Sequence, residues 1–302
     1  MKYVILAIII IAAIIAGAGL LMASYVLHGK RQTLEEARGW QADHYDISWY
    51  DVIEKKSYIL KSFDGYELHV ELLLNKKPSD DYVIVTHGFT DNRLGALKYA
   101  RIYLDLGYNV VIYDLRGHGE NEPSICTYTI RERKDLRDLI KDTRRRHPDL
   151  RRLGIHGESL GAATSIAVLN YQPDIDFVVS DCAFSDLRNV LKEAVKAMHL
   201  PEQLVDLAGF FMKLRYKVSF DDMRPIDSLA RNRIPIMFMH GQDDSLISPM
   251  NSADMYQVTE GLKELHFFPG APHAESVLVS PESYADIVKE FLKVVYSGED
   301  RK

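Results

Sequence analysis

A serine lies between two glycines in the stretch "GIHGESLGAAT", which runs from Gly154 to Thr164. An apolar run precedes Ser159 and an alanine-rich run follows it, so the serine falls where a strand passes into a helix. Small neighbours let a helix pack closely on a sheet, and they also permit the sharp turn that carries a nucleophilic serine. The G-x-S-x-G pattern alone leaves both interpretations open. Nucleophilic chemistry needs a base, an acid and an oxyanion hole elsewhere in the chain.

A base and an acid follow the serine along the chain, each directly after an apolar, strand-like run. The run "IPIMFM" ends in "HGQDDSLISP", which offers Asp243 and Asp244, and "ELHFF" ends in "PGAPHAES", which offers His273. A serine hydroxyl is a weak nucleophile until an imidazole takes its proton, and the imidazole needs a carboxylate to fix its tautomer. We therefore predict that Ser159 and His273 act together with one of the two aspartates.

The loop after the first parallel strand is the expected position of an oxyanion hole. It reads His87-Gly88-Phe89-Thr90. The backbone N–H groups of Phe89 and Leu160 are predicted to donate hydrogen bonds to the oxyanion that develops on the attacked carbonyl group. Leu160 also begins the helix predicted after the serine, so the positive end of the helix dipole favours the same negative charge.

Strands and helices alternate along the body of the chain, which predicts a mostly parallel sheet with helices on both faces. A hairpin comes first, because Asp64-Gly65 separates two strand-like runs. The predicted strands are 57–63, 66–74, 82–86, 109–114, 153–156, 177–181, 234–239 and 264–268, and the predicted helices are 93–106, 129–146, 160–170, 249–259 and 281–296. Each candidate residue follows a parallel strand, at the edge of the sheet where such folds bind ligands.

The stretch 185–229 interrupts this alternation with helical segments and no strand, and we interpret it as a small helical cap above the strand ends. Its apolar residues have two possible uses, because they either wall a substrate pocket or pack as ordinary buried helices. The residues concerned, together with one just before the cap, are Phe184, Leu187, Leu207, Phe210, Phe211 and Met212.

The amino-terminal segment differs from the body, because no charged residue occurs between Tyr3 and Leu27. A membrane-spanning helix needs roughly 20 apolar residues, and this run exceeds the usual core of a cleaved signal peptide. We predict a transmembrane signal anchor over 1–28, a juxtamembrane linker or helix over 29–56 and a catalytic domain over 57–298. Cleavage of the segment and a buried helix remain the alternatives, and we expect the body to fold without it.

Two features of the sequence predict opposite orientations for this predicted single-pass anchor. Lys30 and Arg31 follow the apolar segment, and the positive-inside rule would place them, and the body, in the cytoplasm. An apolar segment near the amino terminus usually acts as an export signal, however, and long domains are translocated largely regardless of flanking charge. We therefore predict an extracytoplasmic catalytic domain.

The composition excludes several other classes of protein. Of 302 residues 47% are hydrophobic, and the net charge of −6 gives no support to nucleic-acid binding. The basic cluster between Arg144 and Arg152 suits the end of a helix. Cys126 and Cys182 form no metal-binding spacing, so neither a disulfide framework nor a zinc site is indicated. The predicted acyl-transfer chemistry implies no metal or organic cofactor. We expect buried, inert thiols, although the sequence leaves a disulfide between them open.

Asp114, Arg116 and His118 lie in a glycine-containing stretch near the predicted site. Their types invite a catalytic or metal-binding interpretation. We expect a structural role instead, in which Asp114 and Arg116 hold the loop in place by charge-assisted hydrogen bonds.

Taken together, these motifs resemble those of the α/β-hydrolase superfamily, and more narrowly the membrane-anchored, serine-aminopeptidase-like esterases and hydrolases of Gram-positive bacteria. The resemblance covers about 57–296 and rests on "THGFTDN", "YDLRGHGEN", "GESLGA", "SDCAFSD", "HGQDDSLISP" and "PGAPHAES". It implies the α/β-hydrolase fold, with a mostly parallel central sheet, flanking helices and a small cap. In that family the acid lies three residues after the glycine of an HG-x-x-D motif, a position that Asp244 occupies here rather than Asp243.

The resulting prediction is a serine hydrolase that cleaves carboxylic esters with small to medium apolar acyl or alcohol groups. Ser159 would form an acyl-enzyme, and His273 would serve as base and then as acid. A peptidase or an acyl-thioesterase could use the same triad, because a fold does not choose the substrate. A catalytically silent, membrane-tethered binding protein is the alternative from another class, and a missing triad residue would favour it. None is missing.

Overall fold

A computed structural model of the chain describes residues 1–297, so residue 298, the predicted end of the catalytic domain, lies outside the described residues. Eight strands form one sheet in the order β1-β2-β4-β3-β5-β6-β7-β8. The strands β3 to β8 pair in parallel, whereas β1 pairs with β2 and β2 with β4 in antiparallel fashion. Their bounds are β1 Lys55–Lys61, β2 Glu67–Leu73, β3 Asp81–Thr86, β4 Asn109–Tyr113, β5 Arg152–Glu158, β6 Phe177–Asp181, β7 Ile236–Gly241 and β8 Lys263–Phe268.

Helices connect the strands and cover both faces of the sheet. They are α1 Lys2–Leu27, α2 Leu34–His44, α3 Trp49–Val52, α4 Leu97–Asp105, α5 Glu132–Arg146, α6 Leu160–Ala167, α7 Leu187–Ala197, α8 Gln203–Tyr216, α9 Met250–Val258, α10 Ser276–Val279 and α11 Pro281–Tyr296. Short 3₁₀ turns lie at Arg93–Ala96, Val168–Tyr171, Phe220–Asp222 and Pro225–Ser228. The stretch interpreted as a cap holds α7, α8 and the last two of these turns.

Two hydrophobic cores sandwich the sheet, and the strand β3 contributes to both. Ile84 packs into the core that α5, α6 and α8 share, whereas Val83 and Val85 pack into the core beneath α4 and α11. Successive side chains of a strand point to opposite faces, so a strand buried on both faces must be apolar throughout. This explains the unbroken apolar runs that predict the parallel strands.

The predicted elements are found, with differences of a few residues at their ends. The helix predicted from Thr129 begins at Glu132, because the backbone of Thr129 has a φ of 90° and is not helical. Glu132 accepts hydrogen bonds from the N–H groups of Thr127 and Thr129, which hold this turn before the helix. The helix predicted from Arg93 begins as a 3₁₀ turn before α4.

The helix α1 occupies the predicted anchor segment. By length and composition it can cross a membrane, and a signal sequence near the amino terminus would meet the same criterion. Ile5, Ile8 and Ile14 are exposed along its first turns, whereas Ala23 and Leu27 near its end are fully buried against the body. The second half of α1 therefore packs on the protein, which differs from the expectation that the body is independent of this segment.

Residues 29–56 also pack on the body, so they are not a free linker. A capping box opens α2: the Glu36 N–H donates to Thr33 Oγ1 at 3.1 Å, and the Thr33 N–H donates to the Glu36 carboxylate at 2.8 Å. Ala37 of α2 is buried in the core beneath α4. Tyr50 of α3 donates a hydrogen bond of 2.6 Å to a buried glutamate of β2.

The docking of α2 predicts opposite effects for one substitution at two positions. Ala37 is buried and Ala42 is exposed on the same helix. Ala37→Asp should lower the free energy of unfolding by about 3 kcal/mol or more, because it buries an unpaired charge. Ala42→Asp should change it by less than about 1 kcal/mol. Urea unfolding followed by tryptophan fluorescence measures both, and equal midpoints for the two variants would contradict the docking.

Candidate active site

Ser159 stands at the sharp turn between β5 and α6. Its φ of 51° and ψ of −114° are rare for a residue with a side chain. A Cβ on Gly157 would lie 2.4 Å from the carbonyl oxygen of Gly161, and a Cβ on Gly161 would lie 2.2 Å from that of Thr86. The Ser159 N–H donates to the carbonyl oxygen of Asp181 at 2.8 Å, which ties the turn to β6. The turn therefore has the strand-to-helix form of a nucleophile elbow.

His273 lies between Ser159 and Asp244 and contacts both side chains. The His273 Nε2 is 2.9 Å from Ser159 Oγ, and its Nδ1 is 2.6 Å from Asp244 Oδ2. An ionised carboxylate only accepts, so Nδ1 carries the proton and Nε2 accepts from the serine hydroxyl. This tautomer is the one in which an imidazole takes a proton from serine. The structure thus brings the three predicted residues together.

The buried carboxylate of Asp244 receives hydrogen bonds on both oxygens. Oδ1 accepts from the N–H groups of Leu246 at 2.9 Å and Ile247 at 2.8 Å. Oδ2 accepts from His240 Nε2 at 3.1 Å as well as from His273. Burial alone would raise the pKa of Asp244, but the hydrogen bonds from the two histidines outweigh it and hold the pKa well below its usual range. The acid is therefore ionised at neutral pH.

A second histidine, His240, fixes the orientation of this acid. Its Nε2 faces two acceptors, Asp244 Oδ2 and the carbonyl oxygen of Ile247 at 2.9 Å, so Nε2 carries the proton. Its Nδ1 then accepts from the Ser252 hydroxyl at 2.7 Å. Asp243, the alternative acid, is exposed to solvent. Only Asp244 of the two aspartates contacts His273.

A cavity of about 170 Å³ opens beside Ser159. The predicted oxyanion loop forms one wall, where Gly88 and Phe89 follow β3. Trp40 and Gln41 of α2, from the segment predicted to be a juxtamembrane linker or helix, also line the cavity. The Gln41 Oε1 atom is buried and has no hydrogen-bond partner among the described residues. Leu160 begins α6, and its N–H is one of the first-turn groups that have no acceptor within a helix.

A buried ion pair underlies the turn that carries the serine. Lys98 of α4 pairs with the carboxylate of Glu158, the residue before Ser159, and donates to the carbonyl oxygen of Ala274 at 3.3 Å. Burial alone would lower the pKa of Lys98, but the charge of Glu158 outweighs it and the pKa is raised. Because Ala274 follows His273, the lysine connects the serine turn to the histidine loop.

The cap residues considered as pocket walls do not line the cavity beside Ser159. Phe211 and Met212 are buried in the protein core, as ordinary helix packing predicts. Phe210 is 62% exposed, so it contributes to neither the core nor the cavity. The wall comes instead from α2, whose polar sequence carries no pocket signal.

Asp114 and Arg116 have structural roles, as expected, but they do not pair with each other. The Asp114 carboxylate accepts from the Arg93 backbone N–H at 2.8 Å and from its guanidinium at 2.5 Å. Arg116 donates two hydrogen bonds to Asp135, at 2.7 and 2.9 Å. Burial lowers the pKa of His118, which therefore stays neutral. The loop is thus held by two separate buried ion pairs.

Cys126 and Cys182 are free and buried. The Cys182 sulfur lies with ligand atoms of Asp244 and His273 inside a distance of 4.8 Å, as three metal ligands would. Burial raises the pKa of the Cys182 thiol, so the sulfur keeps its proton and is not the thiolate that metals bind. Both nitrogens of His273 face protein partners. The arrangement fits a hydrogen-bonded triad better than a metal centre.

Four residues of this site are not predicted from the sequence. His240 directly precedes the glycine of the HG-x-x-D motif at the end of a buried strand, and this position could have identified it. No sequence pattern identifies Lys98, because only tertiary packing brings it to its partner Glu158. Trp40 and Gln41 belong to α2, which the capping box "TLEE" could have revealed as a helix.

Comparisons with known proteins agree with this architecture. The family model described as "Serine aminopeptidase, S33" matches residues 77–228. The "Uncharacterized protein YqkD" of Bacillus subtilis (strain 168) is 30% identical over 303 residues, which cover 97% of this chain and 97% of that protein. Both matches include the serine turn and the oxyanion loop.

Solved structures extend the comparison. The Pyrococcus furiosus esterase Pf2001 superimposes with a TM-score of 0.66 and 26% identity, over 80% of this chain and 91% of that one. An esterase from Exiguobacterium antarcticum has a TM-score of 0.58 and 17% identity, over 79% and 100% of the chains, and supports the fold alone. The predicted fold is confirmed, and the protein is a hydrolase. The chain belongs to the S33 serine aminopeptidase family of the α/β-hydrolase superfamily.

Proposed function

We propose that the protein is a serine hydrolase that cleaves carboxylic esters. The observation that carries the proposal is the hydrogen-bonded series from Ser159 through His273 to Asp244, with distances of 2.9 and 2.6 Å. The similarity to a Pyrococcus furiosus esterase supports esters over other acyl compounds. The cavity of about 170 Å³ suits a small to medium acyl or alcohol group at the reacting carbon.

The reaction would proceed in two acyl-transfer steps. His273 Nε2 takes the proton of Ser159 as its oxygen attacks the ester carbonyl carbon, and the resulting oxyanion accepts from the N–H groups of Phe89 and Leu160. The protonated His273 then gives its proton to the leaving alcohol, which departs as the acyl-enzyme forms. His273 Nε2 then takes a proton from a water molecule as the water oxygen attacks the acyl carbon. The bond between that carbon and Ser159 Oγ breaks as His273 returns the proton to Oγ, which releases the carboxylic acid and the free serine. Asp244 stabilises the imidazolium in both steps.

A peptidase or ester hydrolase for substrates with a free amine is the second candidate. The cavity presents carboxylates from Asp91 and Glu275 and the unpartnered amide oxygen of Gln41, all suited to an ammonium group. Burial, with the nearby charge of Glu158, raises the pKa of Asp91 to about 6, so it is ionised at neutral pH. Lys98, the cation in the wall, is engaged by Glu158.

We also propose that α1 is a retained membrane anchor and that the catalytic body lies outside the cytoplasm. The exposed apolar first turns of α1 support attachment, and the export tendency of such a segment supports the orientation. Resistance of the body to protease added to intact cells would contradict this orientation.

The triad assignment makes a prediction about hydrolysis of p-nitrophenyl esters. Ser159→Ala and Asp244→Asn should each lower kcat roughly 10⁴-fold, because one removes the nucleophile and the other leaves His273 in the wrong tautomer. The matched control Asp243→Asn changes the exposed neighbour and should retain kcat within about threefold. Steady-state kinetics with a short ester series measures all three.

Two outcomes would contradict this assignment. The first is a larger loss in Asp243→Asn than in Asp244→Asn, which would transfer the acid role to Asp243. The second is full activity of Ser159→Ala, which would remove the proposed reaction from this site.

We expect the carboxylate of Asp91 to favour substrates with a free amine over their N-acetyl forms. Asp91→Asn should lower the ratio of kcat/KM for an amino-acid ester to that for its N-acetyl form roughly tenfold, because one ion pair is lost. The same ratio in the native enzyme should fall as the pH drops through about 6, where Asp91 gains a proton. Asp43→Asn alters an exposed acid of α2 outside the cavity and serves as control. An unchanged ratio in Asp91→Asn would eliminate this second candidate.

A further inference from the structure

The second half of the anchor helix packs against α8 of the cap. The close approach is made at Gly19 of α1, where a Cβ would lie 2.2 Å from the Phe211 ring and 3.2 Å from Leu207 of α8. Further along α1, Ala23 and Leu27 are fully buried in the same core as Phe211. Because α8 packs on α1, α8 lies at the same depth in a membrane as the part of α1 that it contacts.

The end of α1 also lies close to the catalytic cavity. The Cys126 N–H donates to the Leu27 carbonyl oxygen at 3.0 Å, and the Tyr128 hydroxyl donates to the Val26 carbonyl oxygen at 2.9 Å. The Tyr128 ring stacks on the Phe89 ring with centroids 5.4 Å apart, and Phe89 lines the cavity beside the serine. Two aromatic rings thus separate the anchor from the cavity.

The outer face of these helices is unusually apolar for a surface. We call it the interfacial surface and define it by residues of α1, of α8 and of the connection between α7 and α8. Its exposed fractions are 73% for Leu21, 83% for Tyr25, 68% for Met198, 46% for Leu200, 62% for Phe210 and 56% for Leu214. Adjacent large apolar residues left exposed on a soluble surface mark an interaction site.

Cations accompany the apolar residues at the carboxyl end of α8. Lys213, Arg215 and Lys217 are exposed there, beside Phe210 and Leu214. Apolar side chains mixed with lysine and arginine are typical of helices that lie in the headgroup region of a bilayer. The charges would face anionic lipid phosphates, each lysine or arginine adding to the attraction.

The length of α1 places this surface at the correct depth. A helix of 26 residues is about 39 Å long, whereas the hydrocarbon core of a bilayer is about 30 Å thick. If residues 2–21 of α1 span the hydrocarbon core, Gly19 and Leu21 lie at its boundary and residues 22–27 lie among the headgroups. The part of α1 that packs on α8 therefore lies at and beyond this boundary. The interfacial surface is continuous with α1. The bilayer that holds the anchor helix therefore also covers this surface.

We propose that the interfacial surface seats the cap in the headgroup region of an anionic bilayer and that the ester substrate is an amphiphile taken from that bilayer. The proposal rests on the proposed ester hydrolysis and on α1 as a retained anchor. It assigns the exposed residues of α8 to lipid contact, and it places the cavity beside the serine within reach of lipid-dissolved esters.

Site-specific fluorescence tests the lipid contact in the full chain. The native cysteines are buried, so Phe210→Cys and Leu214→Cys variants can be labelled selectively with the environment-sensitive dye NBD. Val294→Cys is the matched control, because Val294 is 47% exposed on α11, which packs on the opposite face of the sheet. In vesicles of phosphatidylcholine with phosphatidylglycerol, the labels on α8 should emit at shorter wavelength and be quenched by spin-labelled lipid. The control label should be quenched by aqueous iodide.

Equal iodide quenching at positions 210 and 294 would overturn the proposal. Protection of the label at position 210 from iodide only at a high protein-to-lipid ratio would also overturn the proposal, because a second copy of the chain would then cover the surface. Shielding in these vesicles at one copy per vesicle supports the bilayer as occupant.

Activity measurements separate this proposal from the proposed function. The double variant Phe210→Ser with Leu214→Ser should hydrolyse a long-chain ester embedded in the same vesicles about tenfold more slowly. Its activity on p-nitrophenyl acetate in solution should be unchanged, as should both activities of Val294→Ser. An unaltered rate on the embedded ester would refute the substrate proposal. If the native chain does not hydrolyse the soluble ester, the proposed ester hydrolysis is refuted. The fluorescence result would still decide whether the surface contacts lipid.

Discussion

The backbone turn at Ser159 is the constraint on which the rest of the site depends. Ser159 has a positive φ, and around it Gly157, Gly161 and the β3 backbone approach each other so closely that no side chain would fit between them. That contact fixes the serine against the ends of three neighbouring strands, β3, β5 and β6. Parallel strands place their carboxyl ends at one edge, so the loops after β3, β7 and β8 bring Phe89, Asp244 and His273 close to Ser159.

Hydrogen bonds and an ion pair stabilise the buried charges of the site. The acid Asp244 is buried, where an isolated charge would be unfavourable, yet hydrogen bonds from two histidines and two backbone N–H groups keep it ionised. Beneath the serine, the Lys98–Glu158 pair neutralises a second buried charge and connects the loops that carry Ser159 and His273. The site therefore combines a sharp turn with two buried carboxylates, Asp244 and Glu158, that each have defined partners.

The sequence predicts those parts of the molecule that local pattern determines. The strands appear as apolar runs, the serine turn as G-x-S-x-G, and the acid and base as polar residues at strand ends. The remainder depends on tertiary contacts that leave little local trace. The polar helix α2 resembles a linker until Ala37 is seen in the core, and an apolar helix such as α1 has the same sequence whether it faces lipid or the cap. His240 and Lys98 act through partners that only packing brings together.

We propose that Ser159, activated by His273 and Asp244, is the nucleophile. The most direct test is mass spectrometry of the full chain after reaction with a fluorophosphonate, which captures an activated serine covalently. We expect one adduct, on the peptide that contains Ser159, and no adduct in Ser159→Ala. An adduct on Ser165 or Ser180, or undiminished labelling of Ser159→Ala, would contradict it.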